Sequence, residues 1–177
     1  MQYLKVKNLE NVNVRSLAIF LGFSGVATIL PFYLHVQWIT GPIVNAALIL
    51  VLFLAGIRSA MVLCLVPSLM ALAGGLLPAV LAPVVPFVMI SNTILVLSID
   101  WFYNSFQDEV RGYWLGLLFG SALKFAFLFF SVSVIGKLLI KQELTFKVAQ
   151  MMSWPQFATA LLGGLIAWVV LKWLKRF

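Results

Sequence analysis

A lysine in the middle of a long apolar segment is the residue with the clearest chemical meaning in this sequence. Lys124 lies within residues 113–136, which contain no other charged side chain. A helix that spans a bilayer needs about 20 mostly apolar residues. A lysine near the midplane costs about 3 kcal/mol on insertion scales. We therefore expect Lys124 to face a polar cavity inside a helix bundle, where its ammonium pairs with a protein group or binds a ligand.

The residues that precede this lysine are small and recur at helical spacing. Gly112, Gly116 and Gly120 lead to Lys124 at intervals of four, so all four share one helical face. Two consecutive GxxxG spacings let another helix approach closely. The pattern predicts that Lys124 points into the protein. The alternative is a structural glycine stripe with a lysine that snorkels to the nearer interface.

Two asparagines and one aspartate are the candidate partners of this lysine. Counted from the inner ends of their segments, Asn92 and Lys124 lie at similar depth, given a rise of 1.5 Å per residue. Asn92 can accept a hydrogen bond from the ammonium or contact a ligand, although Ser91 and Asn92 also suit an interhelical hydrogen bond. Asp100, nearer the cytoplasmic side, is the alternative partner. Asn45 either caps its helix or touches a ligand.

Residues for catalysis or metal binding are sparse. His35 is the single histidine, and it is close to Trp38. These two residues either form part of a lid over an outward cavity or serve as interfacial anchors. The sequence contains no His, Cys and carboxylate cluster for a metal and no P-loop or nucleophile motif. We expect a protein that is not an enzyme and has no metal and no cofactor.

The composition places these residues in a membrane. The chain is 63% hydrophobic and 10% charged, with a mean hydropathy of +1.09, which predicts an all-α integral membrane protein. We expect one domain over residues 1–177 and a bundle of six transmembrane helices. The predicted spans are residues 16–33, 43–56, 59–73, 87–103, 113–139 and 157–172. Residues 74–86, rich in Gly and Pro, are predicted to interrupt the helices and suit a re-entrant segment.

The basic residues predict the orientation. An even number of spans puts both termini on one side of the membrane. With the termini inside, eight Lys and Arg residues lie inside and three lie outside, which favours cytoplasmic termini. The net charge of +7 falls at the ends of the segments, so we expect a lipid bilayer and not nucleic acid as the partner of these charges. The inner group is Lys5, Lys7, Arg15, Arg58, Arg111, Lys172, Lys175 and Arg176; the outer group is Lys137, Lys141 and Lys147.

Residues 40–92 carry several short motifs in a fixed order. Asn45 follows a Gly-Pro pair, Arg58 marks a short inner turn, and a Gly-Gly-x-x-Pro motif begins at Gly74. Pro-Phe at residues 86–87 is followed by Ser91 and Asn92, where many relatives have Gly-Asn. In these features the segment, about a third of the chain, resembles the substrate-binding S components of energy-coupling factor (ECF) transporters.

The resemblance implies a function and a set of partners. It implies a six-helix bundle in the cytoplasmic membrane of a prokaryote that captures a vitamin or related micronutrient from outside. A transmembrane coupling subunit and two ATPase subunits would then drive uptake. In that family an Ala-x-x-x-Ala pattern on the first span packs against the coupling subunit, and Ala18 and Gly22 match its spacing here. The N-terminal histidine of cobalt and nickel members is lacking, so metal uptake is not expected.

Two other classes of function stay open from the sequence. One is a membrane scaffold or assembly subunit, whose small-residue faces bind partner helices without a ligand. The other is a small integral membrane enzyme that acts on lipid. Ligand binding by the isolated chain separates the transporter subunit from the scaffold, and turnover without ATPases would favour the enzyme.

Overall fold

The described part of the chain folds into an all-helical bundle. The computed structural model describes residues 14–34, 36–73, 79–139 and 153–175, and these ranges contain six α-helices and no strand. Five of the six predicted spans lie within one helix each, and the second ends at residue 56, one residue past the end of its helix. The prediction of an all-α bundle is confirmed. The helices are α1 Val14–Tyr33, α2 Gln37–Ala55, α3 Ile57–Ala73, α4 Val85–Ser105, α5 Glu109–Leu139 and α6 Trp154–Trp173, and a 3-10 helix, Ala79–Val84, leads into α4.

Four of these helices are long and apolar enough to cross a membrane. The qualifying segments are Trp38–Ala55, Ala82–Ser105, Glu109–Val134 and Trp154–Trp173. In α1 and α3 the apolar stretches are shorter, Ser16–Leu30 and Ile57–Met70. Helices suit this environment because every backbone polar group in hydrocarbon must be satisfied within the protein. The length and apolar character of the four segments make the chain an integral membrane protein.

Helix α2 lies at the centre of the bundle. Its residues from Ala46 to Leu52 are all buried, and it packs against α1, α3, α4 and α6. A helix that is apolar on every side is a buried helix, and the sequence of α2 has this character. Because α2 is central, a polar side chain on it, such as Asn45, is held inside the protein.

The sequence predicts a loop over residues 35–42, between the first two spans. This prediction is wrong from residue 37 onward, because α2 begins at Gln37. Gly41 and Pro42, the last two residues of that predicted loop, are both helical. Pro42 is the sixth residue of α2 and lies inside the helix, where it lacks the N–H that would donate to the carbonyl oxygen of Trp38. Gly41 allows α6 to approach, since a Cβ there would lie 2.9 Å from Cγ2 of Thr159. Trp38 is therefore in the first turn of α2 and not in a loop.

The segment rich in Gly and Pro is helical where it is described. Ala79–Val84 forms the 3-10 helix, and α4 starts at Val85 with Pro86 in its first turn, a favourable position for proline. Val84 and Val85 are buried. Residues 74–78 lie outside the described residues, and the re-entrant path of this segment stays a prediction.

The predicted glycine face of α5 lies directly against α4. A Cβ on Gly116 would be 2.8 Å from Cα of Ile99, and a Cβ on Gly120 would be 2.9 Å from Cβ of Ser98. Gly112 is equally close to the backbone of α4, at 2.9 Å from the carbonyl oxygen of Phe102. The glycines thus bring the two backbones together and set the rotation of α5, which turns Lys124 into the bundle.

Candidate functional site

Lys124 projects from α5 into the interior and connects three helices. Its Nζ donates one hydrogen bond to Oδ1 of Asn45 on α2 and one to Oδ1 of Asn92 on α4, each 2.7 Å long. The exposed fractions of the three side chains are 2% for Lys124, 3% for Asn45 and 4% for Asn92. The ammonium is therefore enclosed by protein and does not snorkel to an interface.

The orientation of Asn45 is fixed by its own helix. Its Nδ2 donates to the carbonyl oxygen of Gly41, at 2.9 Å. With the amide nitrogen engaged in this way, Oδ1 points toward Lys124 as an acceptor. Helix α6 packs closely against α2 at Asn45, since a Cβ on Gly163 would lie 2.6 Å from Cβ of Asn45. The close approach of α6 thus holds the asparagine at its position on α2.

On α4, Asn92 contributes to the site and its neighbour Ser91 does not. The Ser91 hydroxyl donates to the carbonyl oxygen of Val88, at 2.7 Å, so its hydrogen bond is made within α4. Asn92 instead offers its Oδ1 to Lys124 across the interface between α4 and α5. The structure therefore brings together Lys124, Asn92 and Asn45. Their role in substrate binding stays a prediction.

The ammonium faces no carboxylate within the described part of the chain. Asp100, the alternative partner, accepts a hydrogen bond from Nδ2 of Asn104 at 3.1 Å, and it is two turns, about 12 Å, beyond Asn92 on α4. Asp108 pairs with Arg111 at 3.1 Å. Glu109 lies in the first turn of α5, about 22 Å along the helix from Lys124. The site thus carries a positive charge that only neutral amide oxygens solvate.

Two features one turn from Lys124 on α5 were not predicted as parts of the site. Ser121, one turn before Lys124 on α5, is fully buried and its hydroxyl has no hydrogen-bond partner in the structure. Phe127, one turn after Lys124, stacks on Phe87 of α4 with a centroid distance of 6.2 Å. Spacing of three residues along α5 is the sequence signal that connects both residues to Lys124.

Trp38, predicted with the site, lies away from it. It is at the start of α2, about 10 Å along the helix from Asn45, and it is 46% exposed. Its ring contacts that of Trp154 at the start of α6, with a centroid distance of 5.0 Å. This pair at two helix starts suits an interfacial anchor. His35 lies outside the described residues.

The two small residues predicted to dock a partner are on the outer surface of α1. Ala18 and Gly22 are both exposed, and a Cβ on Gly22 would meet nothing within 4 Å. The described glycines of α5 and α6 behave differently, because a Cβ on each of them would meet a neighbouring helix. The surface around Ala18 and Gly22 is therefore open to an approaching helix.

Comparison with known proteins identifies no relative of this chain. No family model matches it, and neither a curated protein nor a solved structure does so. Among the described residues, no group of three or more His, Cys, Asp and Glu side chains is placed to hold a metal ion. The arrangement at Lys124 offers hydrogen-bond donors and one positive charge, which is the chemistry of binding an anion.

Proposed function

We propose that this protein is the substrate-capture subunit of an ATP-driven micronutrient transporter, with its ligand held at Lys124, Asn45 and Asn92 in a cavity that opens to the outside. One observation carries the proposal. Asn45 and Asn92 come from the two ends of the segment that resembles ECF S components, and the amide oxygens of both accept hydrogen bonds from the same buried ammonium. The chemistry of Lys124 and the motifs of that segment therefore converge on one site.

The energetics of the buried charge support a ligand-binding role. An ammonium at membrane depth is costly and is by default a sign of function. A bundle that needs only packing is usually at least as stable with an apolar side chain at such a position. Lys124 also connects α2, α4 and α5, so a ligand that binds there contacts three helices at once. Such a contact would couple substrate capture to the arrangement of the bundle.

Identification of a bound ligand tests this function. We expect a small molecule to copurify with the protein in nanodiscs and to be identified by mass spectrometry of the extract. Lys124→Met, which keeps an apolar stem, should lower the affinity by about one to two decades, the value of one hydrogen bond to a charged group. Lys172→Met, at an exposed lysine, is the control. A variant Lys124→Met that retains the ligand at full occupancy would contradict the assignment.

The same proposal includes six membrane crossings with both termini in the cytoplasm of a prokaryotic cell. In a Cys64→Ala background, Lys5→Cys and Lys175→Cys should both be protected from an impermeant maleimide added outside intact cells. Lys141→Cys, in the predicted outer loop, should react under the same conditions. The physical reason is the eight-to-three distribution of basic residues. Labelling of position 5 or position 175 from outside would refute the orientation.

We further propose that Ala18 and Gly22 dock the transmembrane coupling subunit. Small exposed residues allow the close backbone approach on which helix association in membranes depends. Ala18→Trp should abolish copurification with the coupling subunit and its two ATPases while ligand binding is retained. Ala122→Trp is the matched control, because Ala122 is an equally exposed alanine on α5. Equal copurification of both variants would remove Ala18 from the docking surface.

A membrane scaffold without a ligand is the second candidate. The enclosure of Lys124, which is 2% exposed, favours this candidate. A lysine that is buried between helices can fix their relative positions without binding a ligand. The experiment with copurified ligand separates the two candidates. A wild-type protein that carries no ligand but still binds a partner through α1 would support the scaffold.

A further inference from the structure

The hydrogen bonds of Lys124 leave part of its binding capacity unused. An ammonium has three N–H donors, and the described residues supply acceptors for two of them, on Asn45 and Asn92. Neither acceptor carries a charge, and no carboxylate of the described ranges reaches the site. A ligand that brings one negative charge and one acceptor would satisfy the third donor and neutralise the ammonium without displacing either asparagine.

Ser121 adds a second donor one turn before Lys124 on α5. Several hydroxyls in these helices bond back to a carbonyl of their own helix, as those of Thr28 and Ser133 do, whereas that of Ser24 on α1 has no partner. Ser121 is fully buried, yet its hydroxyl makes no such bond. A buried hydroxyl without a partner costs free energy. Ser121 and Lys124 are neighbours on one side of α5, so both can donate to the two oxygens of one carboxylate.

The turn of α5 that follows Lys124 carries an aromatic contact to α4. Phe127 lies about 4.5 Å farther along α5 than Lys124, and its ring stacks on Phe87 with an angle of 28° between the planes. Both rings are partly exposed. Stacked and offset arrangements of rings are favourable for a third aromatic group as well. The polar and the aromatic parts of the site thus follow one another along α5.

From these three observations we infer that the ligand is a small monocarboxylic acid with a flat, apolar body. The inference rests on the proposed function and specifies its substrate class. The carboxylate accepts hydrogen bonds from Lys124 and Ser121, and the body packs beside Phe87 and Phe127. A monoanion matches the single positive charge, whereas a dianion such as phosphate would leave one negative charge unpaired and buried, which is costly.

Benzoate and benzamide provide a matched pair of probes for this inference, because they share a ring and differ in charge. The full chain in nanodiscs is titrated with each probe, with inorganic phosphate as a third, and the midpoint of thermal unfolding is measured. We expect benzoate to raise the midpoint of the wild type, and benzamide and phosphate to leave it unchanged. Lys124→Met should weaken benzoate binding about ten- to hundredfold, and Lys172→Met should not.

Ser121→Ala keeps the inference testable if Lys124→Met does not fold. This variant removes only the hydroxyl, and we expect it to weaken benzoate binding about fivefold or more, the value of one hydrogen bond. Equal stabilisation by benzamide and benzoate, stronger stabilisation by phosphate, or unchanged benzoate binding in Ser121→Ala would each overturn the inference.

If a neutral or cationic ligand copurifies, the proposed substrate class fails and the proposed capture function stands. If benzoate binds but no coupling subunit associates, the transporter function fails and the carboxylate site stands.

Discussion

Gly163→Ala is expected to destabilise the bundle strongly, because the added methyl group would meet the backbone of α2. The new Cβ would lie 2.6 Å from Cβ of Asn45, 2.7 Å from the carbonyl oxygen of Pro42 and 2.9 Å from the amide nitrogen of Ala46. Two of these atoms belong to the backbone of the central helix, so they cannot rotate away. Overpacking of this kind typically costs about 1–3 kcal/mol, and occasionally more.

The matched control for this prediction is Gly22→Ala on α1. A Cβ there meets nothing within 4 Å, and alanine favours a helix over glycine by about 1 kcal/mol. We therefore expect the midpoint of thermal unfolding to fall for Gly163→Ala and to stay equal or rise for Gly22→Ala. Equal midpoints for the two variants would contradict the close packing of α6 on α2. Because Gly163 abuts Asn45, ligand binding should weaken together with stability in Gly163→Ala.

The helices and the glycine face were predictable because each depends on a local pattern. Apolar segments separated by charged or Gly and Pro residues give the helices. The spacing of Gly112, Gly116 and Gly120 gives the face of α5 that packs closely. The depth of Lys124 and Asn92 follows from counting residues along two neighbouring segments, and this count placed the two side chains at one level without any knowledge of the fold.

The contribution of Asn45 to the site was harder to predict, for a physical reason. The direction in which the Asn45 side chain points depends on how α2 packs against its neighbours. That packing depends on the close approach of α6 at Gly41 and Gly163. In the sequence, Gly41 and Pro42 suggest a turn, because the same two residue types also break helices. Only the packing against Thr159 shows that this glycine serves the approach of α6.

Ser121 illustrates a further limit of inference from sequence. A serine in an apolar helix normally bonds to the carbonyl of the preceding turn, and nothing in the residue type distinguishes one that does not. Ser121 and Ser133 are both serines of α5. The Ser133 hydroxyl donates to the carbonyl oxygen of Phe129 at 2.6 Å, whereas that of Ser121 has no partner. The difference arises from side-chain orientation within the folded bundle.

A double-mutant cycle on Lys124 and Asn92 should reveal a large coupling energy. In the presence of Lys124, Asn92→Leu leaves the buried ammonium with one amide oxygen in place of two. Hydrogen bonds to charged groups are worth about 1.5–3 kcal/mol, so we expect a loss of this size in the free energy of unfolding. In a Lys124→Met background the same substitution removes an amide that has lost its donor, and it should be nearly neutral or stabilising.

The coupling free energy between the two positions is therefore expected to be about 1.5–3 kcal/mol, at the upper end of the range for residues in direct contact. The measurement is equilibrium unfolding of the wild type, both single variants and the double variant in one membrane mimetic.

Asn104→Leu combined with Lys124→Met is the control cycle. Asn104 is exposed and bonds to Asp100, about 18 Å along α4 from Asn92, so its effects should add within about 0.5 kcal/mol. Additive effects of Lys124 and Asn92 as well would mean that the hydrogen bond between them does not form in the membrane. A large coupling would identify the lysine as the group that ties α4 to α5 at the proposed binding site.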